Sequence, residues 1–188
     1  MLRPVLVLAL ALLCALPARA DESVLALLAE PRTHAVMRHA LAPGSSDPED
    51  FDLNDCAKQR NLSDLGRAQA RRAGDMMRRA GIRVDRLLTS QYCRCRETAE
   101  IMDIGPVVEE PILNSFSNQS WKGTGQTEAL RALLAELPDG ETAFLVTHNV
   151  NAEALTGDRP ISGEIQVIRV DEGGRVTLLG SVEVPLGF

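Results

Sequence analysis

Aromatic residues are nearly missing from this chain. Among 188 residues there are one tryptophan, one tyrosine and four phenylalanines, 3% in all. A core of this size must therefore be built from Leu, Val, Ile, Ala and Met. Histidine is also scarce, at three residues, and no His/Cys group stands at metal-ligand spacing, so the reading calls for no metal and no cofactor. The net charge of −6 with only local cationic patches argues against a nucleic-acid partner. After the first twenty residues no apolar run is long enough to span a membrane, so no stable membrane insertion is expected.

Those first twenty residues read as a leader. Arg3 gives a positive start, Val5 to Leu16 is a compact apolar run, and Ala18-Arg19-Ala20 has the small-x-small pattern of a cleavage site. The expected division is a signal peptide over 1–20 and one domain over 21–188, exported and, on this reading, periplasmic. Export puts the remaining cysteines in an oxidising compartment. Cys56, Cys93 and Cys95 make an odd number, one bridge and one thiol. Cys93 and Cys95 are too close to pair with each other, so Cys56 pairs with one of them. Tyr92, Cys95, Ala99 and Met102 share one helical face, which turns Cys95 inward and favours Cys56–Cys93.

Along the mature chain, apolar runs at Thr33–Arg38, Val84–Thr89, Val107–Glu109 and Thr142–Thr147 read as strands, joined by helical patterns. The first helix is expected over Asp21–Glu30. A second runs from the N-cap Ser63 to about Ala80, with Leu65, Ala68, Ala73, Met76 and Met77 as its apolar stripe. A third follows Cys93, a fourth starts near Thr127, and a fifth covers Val150–Leu155. Glu164–Val170 and Arg175–Glu183 close the chain as a hairpin. Alternating strands and helices give a three-layer α/β/α sandwich around a largely parallel sheet.

Chemistry gathers at strand ends. The first strand ends in Arg38-His39 and the fourth in His148, while Arg94 follows the second strand in the first turn of a helix. In open α/β sheets ligands bind at the carboxyl edge. Two guanidinium forks and two imidazoles there suit a tetrahedral dianion. His34, on the opposite face of its strand from His39, is read as structural. The loops at 41–61 and 111–125 are long enough to shape a substrate, and Trp121 stands in the second of them.

Three patches resemble the histidine phosphatase superfamily, the phosphoglycerate-mutase-like enzymes. Arg38-His39-Ala40 is similar to the family's Arg-His-Gly, with alanine for glycine. Leu62-Ser63-Asp64-Leu65-Gly66-Arg67-Ala68-Gln69-Ala70 is similar to its Leu-Thr-x-x-Gly-x-x-Gln-Ala. Ser90-Gln91-Tyr92-Cys93-Arg94-Cys95-Arg96-Glu97-Thr98-Ala99 is similar to its Ser-Pro-Leu-x-Arg-Ala-x-Gln-Thr-Ala, and Val146-Thr147-His148 fits the second histidine. The resemblance implies a phosphoglycerate-mutase-like fold and a phosphatase acting on a small phosphorylated substrate. His39 would be the nucleophile, with Arg38, Arg94 and His148 holding the phosphoryl oxygens. Arg96, off the family position, should face elsewhere.

The leaving-group acid of many relatives is missing. Asn149 stands where one branch has aspartate, and Leu113-Asn114-Ser115-Phe116 lacks the glutamate of the other. Asn149 and Glu153 are possible additional site residues, and Glu109, Glu110 and Glu153 are unranked stand-ins for the acid. A phosphatase acting on a phosphomonoester, phosphoramidate or acyl phosphate is therefore expected. The alternative is a non-catalytic module that binds phosphate or a phospho-ligand of the cell envelope.

Overall fold

The computed structural model describes residues 17–117 and 122–186. Residues 1–16 of the expected leader, and Asn118 and Trp121 in the second loop, lie outside the described residues. Six strands form one sheet in the order β3-β2-β4-β1-β5-β6. They are β1 (Thr33–Arg38), β2 (Arg86–Thr89), β3 (Val107–Glu109), β4 (Ala143–Thr147), β5 (Ile165–Val170) and β6 (Val176–Val182). β3, β2, β4 and β1 run parallel; β5 and β6 are antiparallel additions on the β1 side. The central strands are buried throughout, which is why they read as unbroken apolar runs.

Five α-helices pack around this sheet: α1 (Pro17–Ala26), α2 (Asp64–Arg79), α3 (Cys93–Met102), α4 (Gly123–Ala135) and α5 (Asn149–Thr156). One core layer gathers Leu25, Met77 and Met102 on one face of the sheet; the other gathers Leu130, Leu134 and Leu155. Phe144 is the only aromatic residue of either buried cluster among the described residues. No helix among the described residues is long and apolar enough to cross a membrane.

Two helix boundaries and one helix face differ from expectation, and β2 starts at Arg86 rather than Val84. α1 covers Pro17–Ala26 and gives way to a single 3-10 turn, Leu27–Ala29, rather than running over Asp21–Glu30. α4 starts at Gly123, four residues before Thr127, so its first turn uses the small polar residues of the preceding loop. In α2 the buried face is Gly66, Gln69, Ala70, Ala73, Gly74 and Met77, while Leu65 is half exposed. The reason is proximity. A Cβ on Gly66 would lie 2.1 Å from the carbonyl oxygen of Leu41, and one on Gly74 would lie 1.9 Å from that of Met102. The helix approaches backbone on the side without side chains, and hydrophobicity alone does not reveal that side.

His34 is buried at the start of β1, where its Nδ1 accepts the backbone N–H of Ala143 at 3.2 Å. Burial, with Arg32 nearby, pulls its pKa from 6.5 to about 4. It is a neutral, hydrogen-bonded core residue remote in role from the strand ends.

Candidate active site

The parallel register sets three chain ends side by side. Arg38 pairs with Thr147, and Thr89 pairs with Val146. His39 N–H then donates to the Thr147 carbonyl at 2.9 Å, and Ser90 N–H to that of Val146 at 3.0 Å. So the sheet itself brings together His39, His148 and the segment leading into Arg94. The two imidazole centroids are 5.5 Å apart and inclined at 70°.

Motif residues of α2 and α3 hold the turn after His39. Thr98 Oγ1 donates to the Arg94 carbonyl at 2.7 Å and accepts the Ala40 N–H at 3.1 Å. Gln69 Oε1 accepts the Leu41 N–H at 3.0 Å, while its Nε2 donates to the Ser162 and Val184 carbonyls. Gly66 lets the Leu41 carbonyl approach the helix. Ala40 packs its methyl in a small cluster with Ala42, Leu62 and Ala70.

His39 is buried, and its Nδ1 lies 2.8 Å from the Ala40 carbonyl. A carbonyl only accepts, so Nδ1 carries the proton and Nε2 keeps its lone pair. Burial holds the His39 pKa well below 6.5, assisted by the charges of Arg94, Arg60 and Arg38. His148 is buried and is shifted the same way, by burial first, then by His39 and the same arginines. Its Nδ1 faces Arg94 Nη2 at 3.4 Å and its Nε2 faces Ser90 Oγ at 3.0 Å. Since a guanidinium only donates, the proton sits on Nε2. Ser90 Oγ in turn donates to Asn114 Oδ1 at 3.0 Å.

Two site residues come from the 41–61 loop and were not singled out by the sequence. Asp47 meets Arg94 fork to fork, Oδ1 to Nη1 at 2.7 Å and Oδ2 to Nη2 at 3.2 Å. Its Oδ1 also accepts the backbone N–H of Arg60 at 3.0 Å. Arg60 is half-buried and donates from Nη1 to the Ala42 carbonyl. Its pKa is lowered by burial and then by Arg94; Arg38 is lowered by burial, Arg159 and Arg94. Three guanidinium groups therefore crowd one carboxylate and two neutral imidazoles, a cationic surplus suited to an added dianion. The Nε atoms of Arg38, Arg60 and Arg94 are shielded without a hydrogen-bond partner.

Cys56 and Cys93 form a disulfide, with Cα atoms 5.7 Å apart, and Cys95 is a buried thiol. The bridge fastens the loop carrying Asp47 and Arg60 to the residue preceding Arg94. Cys95 lies under His148, Sγ 3.5 Å from Nε2, and burial pushes its pKa up to about 12. Arg96 turns away, to Glu109 at 3.1 Å and to the disulfide sulfurs.

Of the other candidates, the three glutamates have partners outside the cluster and Asn149 adjoins it. Glu153 is half-buried and pairs with Arg159 at 2.7 Å. Glu109 holds Arg96, and Glu110 accepts the Ile112 N–H. Asn149 opens α5 directly after His148. Among the described residues no group of three or more His, Cys, Asp or Glu could hold a metal ion. Beside the cluster runs an open cleft of about 680 Å³, whose wall includes Phe51, Tyr92, Pro111 and Asn114.

Fold and site define an α/β protein with a cluster of arginines and histidines at the carboxyl edge of its parallel strands. The sequence model of the histidine phosphatase superfamily (branch 1) matches residues 35–143, more than half of the chain. The chain belongs to the histidine phosphatase superfamily. Its fold is shared by solved structures of low sequence identity. The protein histidine phosphatase SixA complexed with tungstate is 17% identical, with 80% of this chain and 96% of that one covered and a TM-score of 0.60. A putative phosphohistidine phosphatase SixA from Agrobacterium tumefaciens is 20% identical, covering 81% and 98%, with a TM-score of 0.58. A mycobacterial glucosyl-3-phosphoglycerate phosphatase complexed with VO3 is 15% identical, covering 73% and 92%, with a TM-score of 0.56. No curated protein matches the chain in sequence.

Proposed function

We propose that the protein is an exported phosphatase that works through a phosphohistidine on His39 and uses no metal. The observation that carries the reading is the fixed state of His39: Nδ1–H tied to the Ala40 carbonyl and Nε2 left with its lone pair among three guanidinium groups. Nε2 attacks phosphorus, the N–P bond forms, and the P–O bond to the leaving group breaks with its electron pair on that oxygen. Arg38, Arg60, Arg94 and His148 take the charge on the phosphoryl oxygens. The arriving dianion offsets the burial and the arginine charges that keep His148 neutral, so His148 takes up a proton from solvent and donates it as a hydrogen bond to a phosphoryl oxygen. Water then attacks phosphorus, the N–P pair returns to Nε2, and phosphate leaves.

The candidate acids Glu109, Glu110 and Glu153 are engaged elsewhere, and Asn149 carries an amide. Leaving groups that depart without help are therefore favoured: aryl and acyl phosphates and phosphoramidates. The leader-like residues 1–20 and the Cys56–Cys93 bridge support export, with the periplasm as the expected compartment. The test is turnover of an aryl phosphate by the disulfide-bonded protein, together with trapping of an acid-labile, alkali-stable phosphoprotein. His39→Ala should abolish both while leaving the circular dichroism unchanged. Tight phosphate binding with neither turnover nor label would make the protein a phosphate-binding module instead.

A further inference from the structure

In a chain that builds its core almost without aromatic rings, its only tyrosine, packed against the edge of that core, stands with one of its four phenylalanines. The rings of Phe51 and Tyr92 stack 5.1 Å apart at 26°. Both are half-buried and both line the open cleft of about 680 Å³, a volume within the range of small-molecule sites. Tyr92 belongs to the cleft and to the phosphoryl site at once. Its ring meets the His148 ring edge-on at 4.6 Å and lies 4.6 Å beneath the Arg94 guanidinium. Leu53 and Pro111 extend the apolar wall, and Ser115, Ser117, Lys122 and Gln126 make up the polar part of the lining. Asn114, at the inner end, has both its side-chain atoms committed, to Ser90, Gln91 N–H and Gln91 Oε1. It therefore offers a rigid border more than free hydrogen bonds.

We propose that this cleft is the leaving-group subsite, and that it takes a ring-bearing, largely apolar small molecule rather than a protein side chain or a polar sugar. The inference rests on the phosphatase reading and gives it a substrate class. A phosphoryl group on the arginines leaves its ester oxygen facing Tyr92, and an aryl group attached there lies along the Phe51–Tyr92 wall. The two observations agree chemically. An aryl oxide departs without a strong acid, and an aromatic wall favours an aryl group.

Gly125 supplies a clean way to fill the cleft. It lies on the cleft wall in the first turn of α4, and a Cβ there meets nothing within 4 Å. Gly125→Phe should therefore leave the fold intact. Binding is measured first, by calorimetry, with methylphosphonate, benzylphosphonate and (biphenyl-4-yl)methylphosphonate. Affinity should rise at least tenfold from the first to the third. Gly125→Phe and Phe51→Ala should each erase most of that gain relative to methylphosphonate. Turnover follows, with acetyl phosphate, phenyl phosphate, biphenyl-4-yl phosphate and a phosphohistidine peptide, and kcat/KM should favour the biphenyl ester over the phenyl ester. Equal affinity along the phosphonate series, or preference for the peptide, overturns the subsite. Absence of all turnover with the phosphonate gradient intact would refute the phosphatase reading, and with it the leaving-group role, and leave the cleft as an aryl-binding site beside a phosphate pocket.

Discussion

The carboxylate of Asp47 closes the guanidinium fork of Arg94, with both oxygens on both terminal nitrogens. A phosphoryl group that claims the same fork must share it or displace Asp47. Asp47→Asn removes the competing charge while keeping a hydrogen-bonding side chain of the same shape. Inhibition by orthovanadate or phosphate should tighten about tenfold, roughly 1.4 kcal/mol. Weaker inhibition would show that Asp47 serves chiefly to hold Arg94 in place.

The Cys56–Cys93 bridge closes a loop with a sequence separation of 37. In the chain-entropy account such a loop contributes about 3–4 kcal/mol. The double variant Cys56→Ser/Cys93→Ser should melt several degrees lower. Reductant should lower the wild-type melting temperature by a similar amount and leave the variant unmoved. Because the bridge anchors the loop bearing Asp47 and Arg60, kcat/KM should fall in the variant at temperatures where it remains folded.

Gly66 and Gly74 separate stability from activity. Each needs backbone to move if a Cβ is added, so alanine should cost about 1–3 kcal/mol at either position in urea unfolding. Gly74 faces Met102 at the end of α3, remote from the strand ends. Gly66 faces Leu41, two residues after His39. Gly66→Ala should therefore lower kcat several-fold more than Gly74→Ala at similar stability.

Acid should weaken the fold through the histidines. His34 has a folded pKa of about 4 against 6.5 in the unfolded chain. Between those values the unfolded chain binds more protons, so stability falls as pH falls from 6.5 to 4 and then levels. His34 alone accounts for roughly 3 kcal/mol of that loss; His39 and His148, also held below 6.5, act in the same direction. Urea midpoints at pH 7.5, 5.5 and 4.5 measure it. His34→Asn, which keeps an acceptor for Ala143 N–H, should flatten the slope. Activity on an acyl phosphate should show no inflection at pH 6.5, since His39 remains unprotonated there.

The sheet was legible because its buried strands are apolar runs that stop at Gly, Pro or polar turns. Arg38, His39, Arg94 and His148 were legible because each adjoins a strand end, and the carboxyl edge collects strand ends. Asp47 and Arg60 were not. They reach the site along an irregular loop whose path is set by a disulfide and by side-chain hydrogen bonds such as Gln59 Nε2 to the Asp52 and Leu53 carbonyls. Nothing periodic records such a path. Leu65 misled because its spacing fits a helical stripe as well as that of Gly66 does. The inward face of α2 is chosen by close backbone approach and by the three hydrogen bonds of Gln69, and a hydrophobic count ranks both glycine and glutamine low.

The interior position of Cys95 bears on how the chain reaches its oxidised state. Two bridges are conceivable, from Cys56 to Cys93 or to Cys95, and the native one leaves the fully buried Cys95 as the unpaired sulfur. With a pKa near 12 in the folded protein, that sulfur is a thiol and not an attacking thiolate. Before the core forms, Cys95 can still exchange with the bridge, whereas its burial in the native pairing silences the last nucleophile. Collapse of the core thus acts as a latch that ends disulfide exchange once the right partner has been found.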